Sequence, residues 1–277
     1  MKFHVVIPMA GHSRRFKEAG YELTKAFLPV GNKMMIEHVF DMFDPNLCTF
    51  HLVINQEQVK DHPQIVSLLT SLAPEVTVTV IPPHDHGPVF SIQHIETIPD
   101  DAPLIVSYCD FSVIWDFKKF LYQIQEADGA VPAFKDFHPA SFGDTLYAYM
   151  KTDADGCLRE LREKRSFTDQ RHKEPASAGI YYFRNFVTYR HYAKRLLQRK
   201  EMELPEAYVS LLFNEMVADE LRVVVPLVEK FICLGTPSDY EQFIFWHRYF
   251  VLNKSSIKKI SSRAKQVTLI PMAGRGS

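Results

Sequence analysis

The sequence lacks three features that would quickly assign it to a class of protein. Its 277 residues carry a formal charge of -1, so no excess of positive charge indicates nucleic-acid or membrane-surface binding. No apolar run approaches the roughly 18 residues of a membrane-spanning helix. The four cysteines (Cys48, Cys109, Cys157, Cys233) are widely spaced, without zinc-ligand pairing, which predicts reduced thiols in a cytoplasmic protein. The chain enters a strand pattern directly, which predicts no signal peptide.

The apolar residues, 46% of the chain, suffice for a large core and fall into alternating strands and helices. Buried strands are predicted at 3–10, 50–56, 76–83 and 103–111, and helices at 34–43, 62–73 and 89–98. This alternation predicts an α/β fold with a doubly wound, mainly parallel sheet, whose ligand site lies at the carboxyl ends of the strands. After Asp110 the pattern becomes mixed, with further short strands, a helical pair over 187–221 and a last helix over 238–253.

One pentapeptide, IPMAG, occurs at 7–11 and again at 270–274. The first copy joins an apolar strand to a loop of Gly, Ser and Arg, which presents backbone N–H groups suited to phosphate. We expect residues 1–253 to form a phosphate-binding domain, 254–266 a linker, and 267–277 the truncated first strand of a second, related domain. The alternative is coincidence between two apolar strands.

Six segments, in one order along the chain, carry a resemblance to a known family. They are PMAGHSRRFKEAGYELTKAFLPV, GPVFSI, YCDF, LRELREKRSFTD, ASAGIYYF and LGTPSDYEQF. Over roughly residues 3–250, this order resembles nucleotidyltransferases of the nucleoside-diphosphate-sugar pyrophosphorylase type. The resemblance implies a Rossmann-like nucleotidyltransferase fold with a mixed acceptor-binding half. It also implies transfer of a nucleoside monophosphate from a triphosphate to a phosphorylated sugar or polyol, releasing pyrophosphate, as in the synthesis of surface polysaccharide precursors.

The resemblance places the nucleotide side of the site near the N-terminus. The residues that it implies for nucleotide binding are Ala10, Gly11, His12, Ser13, Arg14 and Gly87. Arg15 and Lys25 are expected to act in catalysis by supplying positive charge to the β- and γ-phosphates. Asp110, at the end of a buried strand, is expected to hold Mg2+. A pyrimidine base is favoured, on the resemblance alone.

The acceptor side is implied to come from the second half of the chain. Lys164 is expected to hold the acceptor phosphate, and the pocket around it is expected to contain Tyr147, Glu163, Gly179 and Tyr208. Two phosphates that are pushed together need cations on both sides, and the reaction depends on positioning and charge neutralisation. The expected partners are therefore a nucleoside triphosphate and a small phosphorylated acceptor, with no nucleic acid and no membrane.

The charged residues of this set have structural alternatives. Arg14 and Arg15 also fit helix-capping surface charges, Lys25 a solvated lysine, Asp110 a cap, and Lys164 a solvated face within RELREKR. The cluster His84-Asp85-His86 has the composition of a metal site, but its position before Gly87 favours a loop on the base side.

Three positions depart from the family pattern. Ser13 stands where a second glycine is usual in the phosphate loop, and Thr24 stands where proline is common. Cys233 stands where many members carry a second metal-binding aspartate, and a neutral thiol is a poor Mg2+ ligand. Either one carboxylate and the substrate phosphates suffice, or Asp239 or water replaces the missing ligand, or catalysis is impaired.

Three functions are therefore compatible with the sequence. The favoured one is an active nucleotidyltransferase. The second is a regulatory or catalytically degenerate nucleotide-binding domain, which Cys233 and the repeat would suit. The third, a nucleotide-sugar glycosyltransferase, usually requires two closely spaced aspartates, whereas YCDF contains one.

Overall fold

The computed structural model describes residues 2–136, 138–143, 146–199 and 206–261, with side chains to residue 251. The strands are β1 (Phe3–Pro8), β2 (Pro29–Val30), β3 (Lys33–Met34), β4 (Cys48–Asn55), β5 (Val76–Ile81), β6 (Leu104–Ser107), β7 (Phe111–Ile114), β8 (Gly129–Ala130), β9 (Ala133–Phe134), β10 (Ala148–Thr152), β11 (Leu158–Glu163), β12 (Ala176–Ser177), β13 (Ile180–Phe183), β14 (Val223–Val224) and β15 (Lys230–Cys233). The helices are α1 (Arg14–Glu18), α2 (Met35–Phe40), α3 (Gln56–Asp61), α4 (Ile65–Thr70), α5 (Pro88–Ile92), α6 (Phe117–Gln123), α7 (Phe186–Leu197), α8 (Leu212–Ala218) and α9 (Pro237–Ser261). Short 3₁₀ turns occupy Lys25–Phe27, Pro139–Ser141, Arg171–Lys173 and Val209–Leu211.

The central sheet has seven strands in the order β14-β8-β13-β6-β1-β4-β5. Its neighbours run parallel except β13, which is antiparallel to both β6 and β8. The middle of β1 is fully buried, and its apolar side chains alternate between two cores: Val5 and Ile7 on one face, Val6 on the other. The predicted α/β fold with a doubly wound, mainly parallel sheet is confirmed.

A smaller sheet supplies the mixed second half of the fold. Its order is β11-β10-β12-β9, and its strand pairs are antiparallel. The chain crosses between the two sheets at two places. It passes from β8 to β9 through residues 131–132, and it returns from β12 to β13 through Ala178 and Gly179.

The prediction of one continuous strand over 103–111 is wrong, because the structure forms two separate strands there. The strand β6 ends at Ser107, and β7 begins at Phe111 in a separate pair with β15. Between them, Tyr108 donates its N–H to the carbonyl of Gly179, and the Asp110 carbonyl accepts from the N–H of Leu234. The chain leaves the central sheet here because these partners lie outside it, and Asp110 lies in the resulting turn.

The end of the chain differs from the predicted linker. The helix α9 continues to Ser261, so that residues 254–261 of the predicted linker 254–266 are helical. Residues 262–277, which contain the second copy of the pentapeptide, lie outside the described residues. None of the helices in the described part of the chain is long and apolar enough to cross a membrane.

Candidate active site

A cleft of about 1660 Å³ lies at the carboxyl ends of β1 and β6 and extends to the smaller sheet. All of the site residues predicted from the sequence line it: Ala10, Gly11, His12, Ser13, Arg14, Arg15, Lys25, Gly87, Asp110, Tyr147, Glu163, Lys164, Gly179 and Tyr208. Residues distant in sequence, such as Gly11 and Lys164, which are 153 positions apart, thus share one cavity. The predicted nucleotide and acceptor sides are adjacent walls of the same cleft.

The direction of the phosphate loop is fixed by two buried amides of α3. The Asn55 side chain donates to the carbonyl of Ala10 at 2.7 Å, and the Gln58 side chain donates to that of Met9 at 3.0 Å. The same two residues form the capping box of α3, in which each side-chain oxygen accepts from the other residue's backbone N–H. Sequence analysis missed this support, although Asn-x-x-Gln directly after a strand is a capping-box signature.

Ser13 has a left-handed backbone, with φ of 52°. Glycine adopts this conformation without strain, which explains why glycine is usual at this point of the loop. The Ser13 hydroxyl accepts from the N–H of Lys25 at 3.4 Å. The serine therefore connects the phosphate loop to the segment that carries the predicted catalytic lysine.

The two arginines of the loop have different surroundings. The Arg14 guanidinium donates to both carboxylate oxygens of Asp85, at 2.8 and 2.7 Å, in an exposed pair. The His12 ring lies 3.6 Å from the same carboxylate and 3.6 Å from that of Glu57. Arg15 is exposed and lines the cleft, and within the described residues no ion pair involves it. Of the two, Arg15 is the one whose charge is directly available to an anion in the cleft.

Lys25 and Asp110 form an ion pair in the cleft, with 2.7 Å between Nζ and Oδ2. Their side chains are 29% and 22% exposed, so the pair is only partly screened by water. Burial, the largest single influence, lowers the pKa of Lys25, but the charge and hydrogen bond of Asp110, together with smaller effects of Cys109 and Cys233, raise it overall. Lys25 is therefore a permanent cation within reach of the phosphate loop.

Cys233 lies close to this pair but makes its contact with another carboxylate. Its Sγ donates to Oδ2 of Asp239 at 3.3 Å, and the Thr236 hydroxyl donates to the same oxygen at 2.7 Å. Burial, reinforced by the charge of Asp239, raises the pKa of Cys233 to about 12. The thiol is therefore neutral at physiological pH.

The protein groups offer a divalent cation few ligands. Across the described residues, no group of three or more His, Cys, Asp or Glu side chains is arranged to hold a metal ion. Mg2+, however, is commonly bound by one or two carboxylates together with substrate phosphates and water. The donor set fits Mg2+ in this mode, with Asp110 as the protein ligand.

Lys164 is the cation predicted for the acceptor side, and it lines the cleft. Its backbone is left-handed, with φ of 56°, and its N–H donates to the carbonyl of Tyr147 at 2.9 Å. The ammonium donates to the Tyr208 hydroxyl at 2.6 Å and lies 4.5 Å from the centre of that ring. Next to it, Glu163 accepts a hydrogen bond from Ser210, a fully buried residue that sequence analysis missed. Burial raises the pKa of Glu163, although the Ser210 hydrogen bond opposes the change.

Tyr147 has an unsatisfied hydroxyl. The oxygen is buried beside the Cys233 thiol, and the described residues provide it with no hydrogen bond of ordinary geometry. Burial, followed by the neighbouring thiol, raises the pKa of this phenol, which is therefore neutral. Tyr147 therefore contributes a neutral, buried hydroxyl beside Cys233 in the wall of the cleft.

Gly87 joins the two sides of the cleft. Its backbone has φ of 87° and ψ of 177°, and a Cβ at this position would lie 2.7 Å from the backbone nitrogen of Ala207. The flanking backbone makes two hydrogen bonds to Ala207, which donates to His86 at 3.0 Å and accepts from Val89 at 3.1 Å. Through these contacts the predicted base-side turn holds the segment that carries Tyr208. In the same loop, the His84 ring contacts the Ser91 hydroxyl at 2.9 Å.

Known structures share this architecture. The nucleoside-diphosphate-sugar pyrophosphorylase from Vibrio cholerae RC9 superposes with a TM-score of 0.69 at 21% identity, covering 87% of this chain and 99% of its own. A putative glucose-1-phosphate thymidylyltransferase from Bacillus anthracis gives 0.69 at 15% identity, covering 89% and 95%. The inositol-1-phosphate CTP transferase from T. maritima gives 0.65 at 11% identity, covering 87% and 94%. At these identities the likeness concerns the fold.

The family follows from the sequence. No curated protein matches the chain. The model of the MobA-like NTP transferase domain matches residues 5–174, which is more than half of the chain and includes the phosphate loop, Lys25, Asp110 and Lys164. The chain belongs to the MobA-like NTP transferase domain family and is a nucleotidyltransferase.

Proposed function

We propose that the protein transfers a nucleoside monophosphate from a triphosphate to a phosphorylated sugar or polyol and releases pyrophosphate. The observation that carries this proposal is the presence of Lys25 and Lys164, from two different halves of the fold, in one cleft with Asp110. Two substrates that both bring phosphate need a cation each, and a single-substrate hydrolase would not.

Each residue would act by binding or by charge. The loop from Gly11 to Arg15, with the Arg15 guanidinium and the Lys25 ammonium, would hold the triphosphate. Lys164 would hold the acceptor phosphate, whose oxygen attacks the α-phosphorus while the bond to the β-phosphate oxygen breaks and pyrophosphate leaves. Mg2+, when bound through Asp110, would neutralise charge on the phosphate oxygens.

The structural neighbours favour particular substrates. The thymidylyltransferase, the CTP transferase and a UDP-glucose pyrophosphorylase all handle pyrimidine nucleotides, and their acceptors are sugars or a polyol. We therefore favour a pyrimidine triphosphate and an acceptor of this size, as in the supply of precursors for surface polysaccharides. Such a reaction would take place in the cytoplasm.

The test is a matrix of substrates. Each common nucleoside triphosphate is incubated with Mg2+, the protein and one of a panel of sugar 1-phosphates and polyol phosphates, and pyrophosphate is measured. The proposal expects release that depends on one acceptor and one base, and that the Asp110→Asn variant lowers on the order of 100-fold. If no pair releases pyrophosphate above that variant, the proposed reaction is wrong.

A second function, regulatory nucleotide binding without transfer, is favoured by one observation. Cys233 is a neutral thiol where a metal-binding carboxylate is common, and its Sγ donates to Asp239. This alternative expects triphosphate binding by calorimetry without pyrophosphate release. It also expects Cys233→Asp to restore some release.

We further propose that residues 267–277, which carry the second IPMAG copy, are not part of the domain formed by residues 1–253 but resemble the first strand of a related one. The repeated pentapeptide supports this division. Deletion of residues 262–277 should leave the melting temperature and any transferase activity of the first domain unchanged. Loss of folding on this deletion would show instead that the segment is an integral part of the first domain.

A further inference from the structure

The Lys25–Asp110 ion pair joins the two groups that the proposed reaction needs for different ligands. In the proposed reaction the Lys25 ammonium would bind the triphosphate and the Asp110 carboxylate would bind the divalent cation. In this structure the two groups instead bind each other, at 2.7 Å. The salt bridge is direct, and the ammonium donates a hydrogen bond to one carboxylate oxygen, Oδ2. With a lysine in this position, the pair has no net charge, and a divalent cation gains little attraction from it.

The backbone on both sides of the pair is fixed. Lys25 begins a 3₁₀ turn whose next two residues, Ala26 and Phe27, are buried. Asp110 is held through its carbonyl by Leu234, and Gly235 lies so close that a Cβ there would approach the carboxylate to 3.1 Å. Opening of the pair therefore takes place through the side chains, of which the long, flexible lysine stem has the greater freedom to move.

The neighbouring groups do not replace the carboxylate. Cys109 is buried and the Cys233 thiol donates to Asp239, and thiols are poor ligands for Mg2+. Asp239 accepts hydrogen bonds from Cys233 and Thr236. Binding of a divalent cation at this point thus depends on the Asp110 carboxylate, and Lys25 holds that carboxylate in an ion pair.

We propose that the ion pair keeps the free protein from binding a divalent cation on its own, and that a bound triphosphate opens the site by drawing Lys25 away from Asp110. This inference rests on the proposed function. The cation and the triphosphate then bind as coupled ligands, each raising the affinity for the other, because a coupling free energy is reciprocal. Lys25 acts here as a positioning residue for the cation as well as a ligand of the phosphates.

The experiment measures Mn2+ binding to the free protein, without nucleotide, by electron paramagnetic resonance of the unbound ion. The Lys25→Met variant removes the charge and keeps the apolar stem. It should bind one Mn2+ at least about tenfold more tightly than the original protein, whereas Lys25→Arg, which retains a cation, should not. The matched control is Lys33→Met, which breaks an exposed ion pair with Asp41 outside the cleft and should change nothing.

Two further variants locate the effect. The double variant Lys25→Met/Asp110→Asn should lose the gained Mn2+ site, and Lys25→Gln repeats the test if the methionine variant fails to fold. Tight Mn2+ binding by the original protein, no gain in both neutral variants, or a gain that survives removal of the carboxylate would each overturn the inference. Because no nucleotide or turnover enters the measurement, these results are separate from a failure of the proposed reaction.

Discussion

Replacement of Gly87 by alanine tests whether the junction between the two sides of the cleft is as tight as its geometry indicates. The added Cβ would lie 2.7 Å from the nitrogen and 3.0 Å from the oxygen of Ala207, both backbone atoms. The residue would also keep a φ of 87° and a ψ of 177°, a combination that is essentially reserved for glycine. Neither contact is relieved by rotating a side chain.

The magnitude follows from two contributions. Backbone strain at such a position costs about 1–3 kcal/mol. The clash also weakens the two hydrogen bonds between this turn and Ala207, each of which contributes about 0.5–1.5 kcal/mol. The expected loss in the free energy of unfolding is about 2–5 kcal/mol, or about 5–15 °C in melting temperature for a chain of this size.

Gly20 provides a matched control. It has the same φ of 87°, but nothing lies within 4 Å of its Cβ position, and it lies away from the cleft. Gly20→Ala should therefore cost only about 1 kcal/mol of strain. Denaturant unfolding of both variants gives the comparison, and titration of each substrate should show a raised acceptor KM for Gly87→Ala, since Tyr208 is displaced with Ala207. Equal stability losses in the two variants would refute the argument from contact.

The remaining predictions concern charge. Asp110→Asn should lower turnover on the order of 100-fold with an unchanged circular dichroism spectrum; normal turnover would remove Asp110 from the site. Lys25→Ala should raise the triphosphate KM, and Lys164→Ala the acceptor KM, each by about ten- to a hundredfold, as for a charge-assisted hydrogen bond; an effect of both on the triphosphate alone would contradict the acceptor role of Lys164. Burial, reinforced by His4, lowers the pKa of His51 to about 4. Because an unfolded histidine titrates near 6.5, His51 stabilises the fold fully above about pH 6.5, and up to about 3 kcal/mol is lost as the pH falls to 4. Urea unfolding between pH 7.5 and 4.5 should show this slope, and His51→Gln should flatten it; an unchanged slope would assign the loss to other groups.

The first half of the fold was predictable because its signals are local. Continuous apolar runs ended by turn residues marked β1, β4 and β5, and their parallel arrangement placed the phosphate loop and Lys25 at one edge of the sheet. The fold class and the family were therefore predicted correctly. The roles of the individual site residues stay predictions, although the structure brings them together.

The features that sequence reasoning missed depend on distant partners. Nothing within YCDF distinguishes the end of β6 from the start of β7, because the division is made by Gly179 and Leu234, far along the chain. Ser210 is 47 positions from the Glu163 that it contacts. Only the capping box of α3 carried a local signal that could have been used.

The two crossings between the sheets determine how the cleft can move. The chain passes from one sheet to the other with only two residues between β8 and β9 and two between β12 and β13. The two crossings are neighbours, because β8 pairs with β13 in the central sheet and β9 pairs with β12 in the smaller one. At the second crossing, a Cβ on Gly179 would lie 2.9 Å from the ring of Phe111, so this link is packed as well as short. The two short connections lie side by side and run in opposite directions, since Ala178 donates its N–H to the carbonyl of Pro132 at 2.9 Å, and together they oppose hinge bending between the sheets. The spacing between the two sheets is therefore limited by the chain itself, and we expect adjustments in the cleft to come from side chains such as Lys25 and Lys164 more than from closure of one half upon the other.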